Sequence, residues 1–109
     1  MPREALGQFE ELVLLAILHL GDGTYGVPII EEIAARTDRE VAPAAVYIAL
    51  QRLEKKGLVS TRLEAPGEGP PGKPRRLVSL QPEAIEMLRA SHRTMTSMWA
   101  GLEPILEDR

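Results

Sequence analysis

Apolar residues recur at characteristic spacings along this 109-residue chain, and the spacings divide it into elements. From about Gln8 to Leu20, Phe9, Leu12, Val13, Ala16, Ile17 and Leu20 fall three or four apart, which is the repeat of one helix face. Leu14, Leu15 and Leu18 fill the opposite side, so this helix is expected to meet a core on one face and a second subunit on the other. Gly21-Asp22-Gly23 stops it. A second helix follows with Pro28 in its first turn, and its expected stripe is Val27, Ile30, Ile33 and Ala34, with Glu31 and Glu32 outward. Thr37 to Ala42 reads as a polar turn. Pro43 then opens a third helix that runs to Lys56 and stops at Gly57, with Val46, Leu50 and Leu53 facing inward.

Beyond Gly57 the pattern changes. Leu58 to Leu63 is rich in β-branched residues and reads as a strand, with Arg75 to Leu80 as its partner. Between them, seven of the ten residues from Ala65 to Pro74 are Pro or Gly, so this hairpin tip cannot pair. It is either a mobile loop or a semi-rigid finger. Gln81-Pro82 opens the last helix, where Ile85, Leu88, His92, Met95, Trp99, Leu102 and Leu106 alternate steps of three and four. That is an a/d seam over three heptads, and a seam so narrow predicts pairing with the helix of another subunit, an interface to which Phe9 is also assigned. Pro104 is expected to kink or fray the last turn.

The expected fold is mostly α with a small β-hairpin. Three helices, a strand, a glycine-proline hairpin and a second strand follow the order of a winged helix-turn-helix, in residues 1–81. Residues 82–109 form a C-terminal dimerisation helix. In that architecture the third helix enters the major groove of DNA and the hairpin reaches the adjacent backbone or minor groove.

The charge looks adverse at first, since thirteen Lys and Arg against sixteen Asp and Glu leave −3. Its distribution reverses that impression. Residues 1–35 hold one basic and six acidic residues, net −5; residues 36–76 hold nine and five, net +4; residues 77–109 hold three and five, net −2. The basic segment coincides with the third helix and the hairpin, where cations would release counterions from phosphate. On that helix Ala44, Ile48, Gln51, Arg52 and Lys55 lie opposite the apolar stripe, with Tyr47 on its flank. Arg and Gln suit guanine and adenine edges, and Ala44 and Ile48 suit a thymine methyl. Lys73, Arg75 and Arg76 beside the hairpin tip are expected to hold phosphate or minor groove. The competing reading of the same residues is an ordinary solvated helix face.

Other chemistry finds little support. There is no cysteine, hence no disulfide or thiolate site, and two isolated histidines, His19 and His92, do not make a metal site. His19 is expected to be a hydrogen-bonded core residue. No catalytic constellation or phosphate-cradling loop is present, and no cofactor is implied. The longest apolar run, Leu12 to Leu18, has seven residues where a membrane helix needs about 20. Glu4, Glu10 and Glu11 stand where a signal peptide would be basic, so a soluble, cytoplasmic protein is expected.

Three segments resemble the PadR-type transcriptional regulators: Leu12 to Leu18, Tyr25-Gly26-Val27-Pro28-Ile29, and Ala45 to Val59, which reads AVYIALQRLEKKGLV. The chain is similar to the short subfamily, a winged helix with one C-terminal dimerisation helix. It departs from the family at Leu77-Val78, where paired tyrosines are common, and at Leu80-Gln81-Pro82-Glu83-Ala84, in place of a Leu-Thr-Pro-x-Gly run. Ala45 stands where Ser or Thr is frequent, which removes a phosphate contact. The resemblance implies a homodimeric repressor on a pseudo-palindromic operator. Trp99 has two readings: an anchor of the dimer interface, or, with Met95 and neighbouring Met87 and Met98, a platform for a small aromatic effector. His92 is either a pH-sensitive pair across the dimer or a partly exposed, hydrogen-bonded residue. The rival functions are a winged helix that binds protein without DNA, and a small-molecule carrier using the Trp99 seam alone.

Overall fold

A computed structural model describes residues 6–107. Residues 1–5 and 108–109, the outer ends of the two expected segments and with them Glu4, lie outside that range. The element order is α1 (Gln8–Leu20), α2 (Gly26–Thr37), α3 (Pro43–Lys55), β1 (Val59–Leu63), β2 (Arg76–Leu80), α4 (Pro82–Trp99) and α5 (Glu103–Glu107). No described helix is long and apolar enough to cross a membrane.

Helices α1, α2 and α3 pack around one core. Val13, Leu14 and Ile17 of α1 meet Ile29 and Ile33 of α2 and Val46, Ala49, Leu50 and Leu53 of α3. Each fully buried Leu or Ile here contributes about 1.5–3 kcal/mol. Leu58, Val59 and Val78 close the core from the hairpin side, and Ala84 and Leu88 bring the first two turns of α4 into it. A partly buried ion pair ties the start of α1 to the end of α3. Lys56 Nζ lies 2.8 Å from Glu10 Oε1, and the Gly7 amide donates to the same oxygen at 3.1 Å.

The apolar faces differ from expectation in three places. On α1 Leu14 is buried, whereas Leu20, expected on the inner face, is exposed at the end of the helix along with Leu15 and Leu18. On α2 the inward pair is Ile29 and Ile33, one turn apart, while Ile30 and Ala34 are half-buried and Val27 is exposed. The helix starts at Gly26, and packing against α1 and α3 selects the Ile29 side. His19 is exposed rather than in the core, because it falls on the outer face of α1 beside Leu18.

The two strands pair antiparallel, with Val59 opposite Leu80 and Leu63 opposite Arg76. The turn between α1 and α2 joins this ladder. The Gly23 amide donates to the Val78 carbonyl at 2.9 Å, the Val78 amide to the Thr24 carbonyl at 2.7 Å, and the Leu80 amide to Asp22 Oδ1 at 3.0 Å. The wing is therefore fastened to the beginning of α2.

The continuous seam expected at the C-terminus is interrupted. Helix α4 ends at Trp99, and Gly101 takes φ +86°, a left-handed conformation that glycine adopts without a Cβ clash. Leu102 precedes, and Leu106 belongs to, the separate helix α5, and the break precedes Pro104, which sits in the first turn of α5 instead of kinking a longer helix. Gln81 supplies no side-chain cap to α4; Pro82 at its first position starts the helix.

Candidate nucleic-acid interface

The interface begins with the outer face of α3. Its inner face is fixed by Val46, Ala49, Leu50 and Leu53, so Ala44, Tyr47, Ile48, Gln51, Arg52 and Lys55 are turned outward, and all six are exposed. Tyr47 also has a packing role. A Cβ on Gly26 would stand 2.6 Å from the Tyr47 ring, so the ring lies directly against the first turn of α2. Only glycine permits that approach.

Beside α3 stands the wing. A groove of about 270 Å³ separates them, lined by Tyr47, Gln51 and Glu54 of α3 and by Thr61, Arg76 and Val78 of the strands. Arg76 is held at its edge by a short relay. Its Nη1 donates to Thr61 Oγ1 at 3.2 Å, and that hydroxyl donates to Glu54 Oε2 at 2.9 Å. The register explains the relay, since Arg76, opposite Leu63, falls on the same side of the ladder as Thr61.

The three wing cations expected at DNA are placed differently from one another. Lys73 is exposed on the tip and Arg76 is exposed at the groove. Arg75 is turned inward. Its Nε and Nη2 reach the two carboxylate oxygens of Glu64 at 3.0 and 2.7 Å, and its amide donates to Glu64 Oε1 at 2.8 Å. Its guanidinium lies 4.5 Å from the centre of the Tyr25 ring. Glu64 is buried, and the hydrogen bonds from Arg75 hold its carboxyl below the usual range. Arg75 is raised in turn, first by Glu64 and then by Tyr25.

A second pair braces the tip. Arg62 binds Glu68 through both nitrogens at 3.0 and 2.6 Å, and Glu68 also accepts the Ala65 amide at 2.8 Å. Arg62 and then the Ala65 amide bring the Glu68 carboxyl down to about 2. Of the two readings of the proline-rich tip, these contacts favour the finger. Thr61, Arg62, Glu64 and Glu68 were not singled out as site residues from the sequence, and Tyr25 and Glu54 entered only within the segments that carry the resemblance. The alternation of charged residues along Arg62, Glu64 and Glu68 was the available signal.

The residues expected at a dimer interface fall into two groups. Leu88 is buried in its own chain's core, while Phe9 and Ile85 are half-buried. His92, Met95, Trp99, Leu102 and Leu106 are exposed, as are Met98 and Ile105. From His92 to Glu107 every residue is exposed, so this arm leaves the body of the molecule.

The family model for the transcriptional regulator PadR-like family matches residues 14–78. No curated protein matches the chain. Among solved structures, a PadR family transcriptional regulator from Eggerthella lenta is 22% identical, with 90% of this chain and 83% of that one covered and a TM-score of 0.67. A PadR-like transcriptional regulator from Bacillus cereus is 19% identical, with 93% of each chain covered and a TM-score of 0.70. A winged-helix DNA-binding protein from STIV is 14% identical, with 87% and 95% covered and a TM-score of 0.68. At these identities the likeness is one of fold, and the fold is the winged helix.

Proposed function

The chain belongs to the PadR-like family of transcriptional regulators, and from that premise we propose that it is a homodimeric repressor binding a pseudo-palindromic DNA operator in the bacterial cytoplasm. The observation that carries this reading is the exposure of Tyr47, Ile48, Gln51, Arg52 and Lys55 on one face of α3, beside a wing that exposes Lys73 and Arg76. In the proposed complex α3 lies in the major groove, where Gln51 and Arg52 read base edges, and Lys73 and Arg76 neutralise phosphate alongside. Two α3 helices of a dimer reach successive grooves, about 34–36 Å apart.

The exposed arm supports the dimer. Met95, Met98, Trp99, Leu102, Ile105 and Leu106 each present a large apolar side chain to solvent within one short arm, as an interface to be covered would. A flat aromatic effector held between the paired arms at Trp99 and Met95 would alter their angle and with it the half-site spacing, which relieves repression. Titrating tryptophan fluorescence with planar aromatics tests this, and an unchanged signal across a broad panel removes the effector from the scheme.

DNA binding is tested by selecting duplexes from a random pool and measuring affinity against salt. The expected consensus has two half-sites one helical turn apart, with log affinity falling linearly as log salt rises. Lys73→Ala and Arg76→Ala should each lower the slope by about one. A chain that enriches no sequence and shows no slope is a protein-binding winged helix instead.

A further inference from the structure

Arg75 is the best-connected cation of the wing, and its contacts leave its side chain one-third exposed, at 33%. Both oxygens of the buried Glu64 carboxylate are taken up by its guanidinium, the same carboxylate accepts its amide, and the opposite strand returns the link through the Glu64 amide, which donates to the Arg75 carbonyl at 2.9 Å. Tyr25, immediately before α2, covers the guanidinium. The hairpin tip also closes on this carboxylate, because a side chain at Gly69 would collide with the Glu64 carboxyl group. One buried carboxylate thus joins the two strand ends and the tip, and through Arg75 joins them to the beginning of α2.

The geometry points to Arg75 as a positioning residue and not a phosphate contact: with Glu64 and Tyr25 it forms a tether that fixes the pitch of the wing against α2 and α3. This rests on the DNA-binding reading above. The consequence for recognition is specific. The wing carries four cations, Arg62, Lys73, Arg75 and Arg76; Glu68 neutralises Arg62 and Glu64 neutralises Arg75. Lys73 and Arg76, with no acidic partner among the described residues, are left as its phosphate-binding charges, and the tether decides where they stand. A bidentate, ring-stacked guanidinium is also a site that lysine cannot fill.

Two variants separate positioning from direct contact by sign. Glu64→Gln removes the negative charge that pairs with Arg75 and breaks the bidentate link. A tether predicts that DNA affinity falls, by roughly tenfold, as loss of one or two phosphate contacts would cause. A direct contact predicts the reverse, tighter binding with a steeper salt slope, and that result overturns the inference. Arg75→Lys keeps the charge but breaks the bidentate stacked geometry. It should bind as weakly as Glu64→Gln, whereas wild-type affinity in this variant also overturns the inference. Amide hydrogen exchange on the DNA-free protein gives a separate readout. In Glu64→Gln the amides of Arg75, Ala65 and Glu68 should exchange faster while the α3 amides keep their protection; unchanged exchange at these amides refutes the tether. If the wild-type chain binds no DNA, the functional reading fails, and the exchange result still decides the tether.

Discussion

Helix α1 and the arm from His92 to Glu107 both carry large apolar residues, densely in α1 and sparsely in the arm, and they meet opposite fates. In α1, Val13, Leu14 and Ile17 are completely buried against α2 and α3. From His92 to Glu107 no residue is buried, and Met98 is 70% exposed. Helix α1 is the more apolar of the two segments, but burial also requires an opposing face, and that is where they differ. Helix α1 packs within a three-helix body, whereas α4 leaves that body after Leu88 and, among the described residues, meets no face that buries it. The lesson is that an apolar stripe announces a partner without saying whether the partner belongs to the same chain.

The largest effect should come from the body. Leu53 is completely buried, and Leu53→Ala should cost about 2–5 kcal/mol in a denaturant melt. A loss well below 1 kcal/mol would mean that this core site collapses freely and would erase the contrast with the arm. In the arm, Met95→Glu combined with Trp99→Glu should halve the mass in sedimentation while the helical circular dichroism of the body persists. A dimer that survives both charges would show that the arm is not the interface.

The smallest effect concerns the join between α1 and α3. Burial opposes the charge of Glu10, but the hydrogen bonds from Lys56 and the Gly7 amide outweigh it, so its carboxyl titrates below the ordinary value of 4.5. Its contribution is therefore fully present above about pH 4.5 and is lost as pH falls through the lowered folded value. Glu68 acts in the same direction, over a window from 4.5 down to about 2. Melts between pH 6 and pH 3 should show Glu10→Gln with a shallower acid loss than the wild type; an identical pH profile would mean that the Lys56 pair is not maintained in solution.

Much of the fold is legible in the sequence. The bounds of α1 and the start of α3 follow from three-and-four spacing and from Pro43, and the outer face of α3 follows once Val46, Leu50 and Leu53 face inward. The legibility fails where a choice depends on neighbours. Val27 and Ile29 are both apolar near the start of α2, and contact with α1 and α3 selects Ile29. His19 sits in an apolar helix yet points outward. The seam from Ile85 to Leu106 keeps its arithmetic but not its helix, because Gly101 takes a left-handed turn that spacing alone does not reveal.

The wing shows the same division within one run of residues. Lys73, Arg75 and Arg76 are three neighbouring cations of equal rank in the sequence, and local charge counts them alike. Which of them is available depends on strand register, on a buried carboxylate eleven residues away and on a tyrosine before α2. What the sequence determined by itself is what short-range chemistry controls: helix periodicity, proline and glycine punctuation, and the concentration of positive charge in residues 36–76. Only the tertiary structure decided that Leu88 is spent in its own core, that Arg75 faces Glu64, and that the arm stands uncovered. Each of these is a matter of which surface lies opposite, and that is created only when distant segments of the chain pack together.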